Sequence, residues 1–256
     1  NHSLAQRIWK SRMAYLLLAP LLIGLIVFCY YPPLSGLYHS FFDWNVTGEA
    51  KFVGLDNFRE LFSDRVFLNS IPTLLKLGLP CLVISVVVPL VMAELIFAVK
   101  TSKMKYIYRV LVLLPMVAPG LIYTLIWEKI YDPQLGLLTT ILRALGLVDP
   151  DQIINWLGDP NLVIPALIFT GFPWIGGTAV LIYMAGLMEI SSDVIEATVL
   201  DGCGTFKRIF YIDLPQLMGQ VKYFLVFGLI GVIQDYNNQL LITEGGPGYT
   251  TYVPGY

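Results

Sequence analysis

Charge is what this chain has least of. Asp, Glu, Lys and Arg make up 13% of its 256 residues, against about 25% in an ordinary soluble domain. With a formal net charge of -2, it lacks the basic balance that marks a nucleic-acid-binding chain. Histidine occurs only as His2 and His39, far apart in the chain, and the pair makes no ligand cluster. Cys29, Cys81 and Cys203 lie in or beside apolar runs without metal-site spacing, so they read as small apolar side chains. No Gly-x-x-x-x-Gly-Lys-Ser/Thr stretch is present, which excludes a phosphate-binding loop of the chain's own. A Ser/His/Asp set, a carboxylate pair, a short repeat and a low-complexity linker are likewise missing. Asn45-Val46-Thr47 fits a glycosylation sequon, a triplet common by chance.

Apolar side chains are abundant instead, at 56% of the chain, with a mean hydropathy of +0.69. A basic start, Arg7, Lys10 and Arg12, leads into residues 13–31, 19 positions without a charge. That run exceeds a signal-peptide core and is long enough to span a bilayer; Pro32-Pro33 is expected to end it. Four further spans follow at about 77–99, 110–127, 163–187 and 223–242. The second is interrupted by Pro80 and Pro89, the third by Pro115 and Pro119, and the fourth by Pro173. Residues 34–70 and 128–161 are polar and loop-rich, with a short helix expected near 58–62. Ten basic residues, in the tightest clusters, fall on the side of the N-terminus and of residues 189–215, against six on the other. Both are therefore expected to face the cytoplasm.

Polar groups inside the spans mark candidate chemistry. Gln234, Asp235, Asn237, Asn238 and Gln239 crowd one half of the fifth span. An ionisable group in lipid costs at least ~2.5 kcal/mol and usually faces a cavity or a partner. The cluster therefore reads either as the lining of a translocation path or as a hydrated edge at the interface. Trp174, after Gly171-Phe172-Pro173, has two readings, a platform for a sugar ring or packing. Glu94 is expected to reach the inner interface or a basic partner such as Lys100.

Residues 189–215 are the longest polar, structured-looking stretch between spans. Asp193 is a candidate helix cap with Glu196 three residues on. Ile190, Val194 and Ala197 share a helical face. Gly202 provides a left-handed stop, and Gly204-Thr205 a restart. Pro215 limits the second short helix. The spacing predicts a helix-turn-helix elbow.

The pattern Glu196-Ala197-Thr198, Asp201-Gly202, then Ile212-x-Leu214-Pro215 resembles the EAA loop of bacterial ABC importer permeases. Thr198 replaces the second alanine, a change expected to cost little at a helix surface. Residues 52–58, FVGLDNF, are similar to a segment of carbohydrate-uptake permeases, and Gly245-Gly246-Pro247-Gly248 to the outer loop before their last helix.

The resemblance implies an all-α membrane protein with a type I-like ABC importer permease fold. Five spans lie in this chain, a sixth is expected beyond residue 256, and the elbow forms a cytoplasmic coupling loop. It further implies a multi-pass subunit in the bacterial cytoplasmic membrane that does no hydrolysis itself. Its partners would be a second, non-identical permease, two cytosolic ATPases that bind ATP and Mg, and an extracytoplasmic solute-binding protein. A sugar would be the substrate. Glu196, Ala197, Asp201, Gly202, Ile212, Leu214 and Pro215 would couple to the ATPases; Trp174, Gln234, Asp235, Asn237 and Asn238 would line the path. The alternative is a channel or a secondary transporter driven by an ion gradient, with Asp235 as the coupled carboxylate.

Overall fold

The computed structural model describes residues 9–45 and 48–256. His2 and Arg7, and Val46-Thr47 of the sequon, lie outside them. The chain divides into two compact units at Arg65.

In the first unit, helix α1, Arg12–His39, is long and apolar enough to cross a bilayer. Pro32-Pro33 does not end it, contrary to the expectation from sequence. A π-type turn, Leu25–Tyr30, precedes the prolines, and helical geometry resumes from Tyr31 with proline in its first turn. The wide turn opens the ladder where a proline ring would otherwise meet the carbonyl one turn back. Two short strands, β1 (Phe42–Asp43) and β2 (Lys51–Phe52), then pair antiparallel, followed by α2, Asp56–Leu61. Here the FVGLDNF segment is structural. Gly54 takes φ +63°, and Asn57 donates its amide to the carbonyls of Ser40 and Phe42.

The second unit is helical throughout. Helix α3, Arg65–Ala98, keeps three prolines inside 34 residues, extending well upstream of the expected span. By 1.5 Å per residue it is about 50 Å long, more than the ~30 Å of hydrocarbon it would have to cross. Ser70, Thr73 and Ser85 turn their hydroxyls back onto carbonyls of the same helix, as polar side chains do where no water is available.

The expected third span is two helices, α4 (Ser102–Val117) and α5 (Gly120–Ile130), bent by 88° at Ala118-Pro119. Proline bars a continuous ladder there, and Gly120 opens the new helix. Within the loop-rich section lies α6, Leu137–Ala144. The expected fourth span is also broken, into α7 (Val163–Phe169) and α8 (Gly177–Glu189). The elbow helices α9 (Ser192–Leu200) and α10 (Thr205–Gln216) come next. After a 68° bend at Leu217, α11 runs Met218–Gln234, and a π-type turn, Gln239–Thr243, follows.

Three packed clusters hold this unit. At the elbow end, Ala93 and Ile96 of α3, Val112 of α4, four residues of α8 and Leu217 are buried together. At the other end, Leu77, Val163, Leu167 and Val253 form a second core. A third gathers Trp127, Tyr131 and Ala166. Most other large apolar side chains on the helices are exposed, the reverse of a water-soluble fold and the arrangement suited to lipid.

Candidate functional site

The first site is the elbow. Helix α9 begins two residues earlier than the sequence suggested. Ser191, not Asp193, occupies the cap position, no side-chain cap bond forms, and Asp193 lies in the first turn. A negative charge there still favours the helix N-terminus. The stop at Gly202 is a Schellman closure: Cys203 N–H donates to Thr198 O at 2.9 Å and Gly202 N–H to Val199 O at 3.1 Å. Gly202 takes φ +67°, and a Cβ there would meet nothing within 4 Å. What holds glycine at this position is backbone handedness, while the space in front of it stays open.

Glu196, Ala197, Asp201 and Pro215 are exposed, and Ile212 and Leu214 are half-buried. Thr198 is not at a helix surface as expected. It is buried, and its hydroxyl donates to Ile195 O at 2.6 Å. Val194 and Ala197 are exposed as well, so they and Ile190 do not form one buried face. Val199, Leu200, Phe206, Phe210 and Tyr211 are strongly exposed on this small segment. Among them Leu200, 87% accessible and four residues after Glu196, flags a docking surface that the charge-based reading missed.

Behind the elbow sits a buried ionic cluster that sequence reasoning also missed. Arg208 Nε donates to Asp213 Oδ2 at 2.9 Å, and its Nη2 lies 3.8 Å from Glu94 Oε2. Lys100 is therefore not the partner of Glu94; the cation comes from α10. The shorter contact is a charge-assisted hydrogen bond and the longer one a charge contact only, so Asp213 is the group that holds Arg208. The guanidinium and the Lys105 ammonium both lie over the Phe97 ring, at 5.7 and 5.1 Å, which ties α3, α4 and α10 together. One signal was available: Asp213 is the lone charge between Ile212 and Leu214.

The wide turn Ile209–Asp213 precedes Pro215 as the one in α1 precedes Pro32. It lets α10 continue to Gln216 before the chain bends.

The second site is the break after α11. Gln234 ends the helix, Asp235 is extended, and helical geometry resumes near Asn237. The fifth span is thus interrupted inside its polar cluster. A cavity of about 280 Å³ lies beside it, lined by Cys81, Ser85, Asp235, Asn238 and Gln239 among apolar neighbours from α3 and α11. Gln239 is 5% exposed, and its carbonyl Oε1 has no hydrogen-bond partner among the described residues. A buried, unpaired acceptor beside a cavity is unfavourable until something donates to it. Gln234 and Asn237 are exposed and not part of this lining. A Cβ on Gly78 would run into the Val232 side chain, so glycine permits the close α3–α11 approach in the cavity wall.

Trp174 lies elsewhere. Its indole N–H donates to Ile168 O at 3.0 Å, satisfying a carbonyl freed where α7 ends, and its ring packs edge-on against Phe169 and Phe172. It holds φ +55°, a left-handed conformation costing a non-glycine residue about 1–2 kcal/mol. That geometry fits the packing reading. Among the described residues no cluster of three His, Cys, Asp or Glu exists.

Comparison with known proteins gives the frame for both sites. The family described as "Binding-protein-dependent transport system inner membrane component" matches residues 66–254. The probable ABC transporter permease protein YurN of Bacillus subtilis is 31% identical over 93% of this chain and 81% of its own. The trehalose/maltose transport system permease protein MalF of Thermococcus litoralis is 29% identical over 94% and 80%. The probable starch degradation products transport system permease protein AmyD of Thermoanaerobacterium thermosulfurigenes is 30% identical over 93% and 78%. A bacterial ABC transporter that imports the acidic polysaccharide alginate has a similar fold, with TM-score 0.81, 23% identity and 97% and 82% coverage.

Proposed function

The chain belongs to the binding-protein-dependent transport system inner membrane component family, and on that premise we propose that it forms one half of the translocation path of an ATP-driven sugar importer. It spans the cytoplasmic membrane of a bacterium with its N-terminus inside. A second, non-identical permease completes the path, two cytosolic ATPases hold ATP and Mg, and an extracytoplasmic binding protein delivers the substrate. Sugars and oligosaccharides are favoured because the trehalose/maltose and starch-product permeases are among its relatives.

The observation that carries the reading is the elbow. Its first helix is closed at Gly202, its second is tied by Arg208 and Asp213, and Glu94 links the pair to α3. Displacement of its exposed face by closing ATPases therefore reaches α3 and, through the Leu217 bend, α11. Glu196, Ala197, Asp201 and Gly202 meet the ATPase, while Ile212, Leu214 and Pro215 set the exit of the chain. Tilting α3 against α11 changes access to the cavity holding Asp235, Asn238 and Gln239, a rigid-body alternation. A sugar hydroxyl donating to Gln239 would satisfy its bare carbonyl.

Reconstituting the complete complex and measuring ATPase stimulation by the loaded binding protein tests this. Gly202→Val is expected to abolish stimulation and uptake while the subunit still inserts. Full stimulation in that variant overturns the coupling role.

A further inference from the structure

Helix α6 is apolar on two sides. Leu138 and Leu142 are half-buried, with Leu138 packed against the core of Trp127, Tyr131 and Ala166, and only Thr140 of its polar residues is exposed. Thr139 is fully buried and accepts the Trp156 indole N–H at 2.8 Å. Arg143 turns back to donate to the carbonyls of Gln134 and Gln152. Its apolar residues Leu137 and Ile141, and Leu145 just after it, stand four apart on one face and are exposed, at 57%, 46% and 66%.

A groove of about 660 Å³ runs between this helix and α5, with Ile122, Ile126, Ile130, Leu135 and Leu137 in its walls. Lys129 is the single charged residue lining it. The groove continues the exposed apolar face of α5, Leu121, Leu125 and Ile126. Just past Lys129 the chain reverses at Asp132, whose carboxylate accepts the N–H groups of Leu135 and Gln134. Those bonds hold its carboxyl below the ordinary range and favour the charged form.

Hydrocarbon walls, one cation at the rim and a charged turn beyond it match one ligand chemistry. We propose that α6 lies in the bilayer interface and that its groove with α5 holds an acyl chain of a phospholipid whose phosphate meets Lys129. Lysine suits that place because its stem follows apolar surface while its ammonium reaches the headgroup level. The lone cation at the rim of an otherwise apolar groove favours a phospholipid over a protein partner.

Photo-crosslinking in the intact importer, within its own membrane, tests this. A benzophenone amino acid replaces Leu137 in one variant and Ile141 in another; both side chains are exposed, so no core contact is lost. Mass spectrometry is expected to find phospholipid adducts at both positions and none at a control in the acidic turn, Asp149. Lys129→Glu is expected to lower the adduct yield at position 137 several-fold. Adducts to any polypeptide, or no adduct at either position, overturn the lipid site. An unchanged yield in the lysine variant overturns the phosphate contact. Native mass spectrometry of the purified wild-type complex gives a second reading, since at least one tightly held phospholipid per copy of this chain is required.

Discussion

The two ends of α11 handle polar groups in opposite ways. At the elbow end, Arg208 is bound to Asp213 at 2.9 Å and stands beside Glu94, with all three side chains mostly buried. At the other end the helix simply stops, and Asp235, Asn238 and Gln239 line an open cavity with a buried carbonyl left unpaired. The first also leaves Glu94 Oε1 and Oε2, Arg208 Nη2 and Asp213 Oδ1 without hydrogen bonds, but opposite charges hold it together, and every alternative leaves a charge buried alone. The second has a vacancy for a donor. On the proposed function, the elbow end would convey displacement without yielding and the cavity end would exchange partners with the sugar.

The largest effect is expected from breaking the tied end. Removing one member of a buried ion pair typically costs about 3–5 kcal/mol, so Arg208→Met should lower the melting temperature of the purified complex sharply and abolish uptake. Neutralising both acids in the same chain, with Glu94→Gln and Asp213→Asn, should recover much of the stability, because no uncompensated charge then remains. A single variant that melts like the wild type would remove the contrast between the two ends.

Gly202 separates strain from docking. Gly202→Val must force a branched residue into the left-handed region, at about 1–2 kcal/mol. Asparagine tolerates that region, so Gly202→Asn should melt close to wild type. If an ATPase surface fills the open space at Gly202, the asparagine variant will still lose most stimulated hydrolysis. Normal stimulation would leave the glycine a purely conformational role.

At the open end the signs reverse. Gln239→Leu deletes a buried unpaired acceptor, whose burial costs about 1–3 kcal/mol. The resting protein should become slightly more stable while uptake falls, with Asn238→Leu lowering uptake in parallel. A loss of stability with normal uptake would assign Gln239 to packing. The smallest effect belongs to Glu196→Gln: on an exposed surface, stability should stay within about 0.5 kcal/mol, and only the coupling ratio of ATP hydrolysed to sugar moved should change.

Particular residues show how far the linear pattern carried. Gly202 was legible because a left-handed stop is a local property, set by one residue and the turn before it. So was the polar cluster at 234–239, since such groups stand out in an apolar run. Thr198 was misjudged because helical spacing defines faces without saying which one packs. Trp174 could not be resolved, since a ring near a proline suits a ligand platform and a backbone cap equally. Pro32 misled in another way: a wide turn absorbed the disruption that proline imposes, and that adjustment depends on the neighbouring ladder.

By itself, then, the order of residues determined that this is a lipid-spanning helical protein with an elbow of the importer type. Hydrophobic run length, turn chemistry and the fixed offsets from Glu196 to Pro215 are all short-range properties. Only the tertiary structure decided that Glu94 and Asp213 share Arg208, that α3 and α11 enclose a cavity, and that α6 turns Leu137 and Ile141 outward. Each of these joins groups distant in the chain, and both charge pairing and burial depend on separation in space, which a linear pattern does not contain.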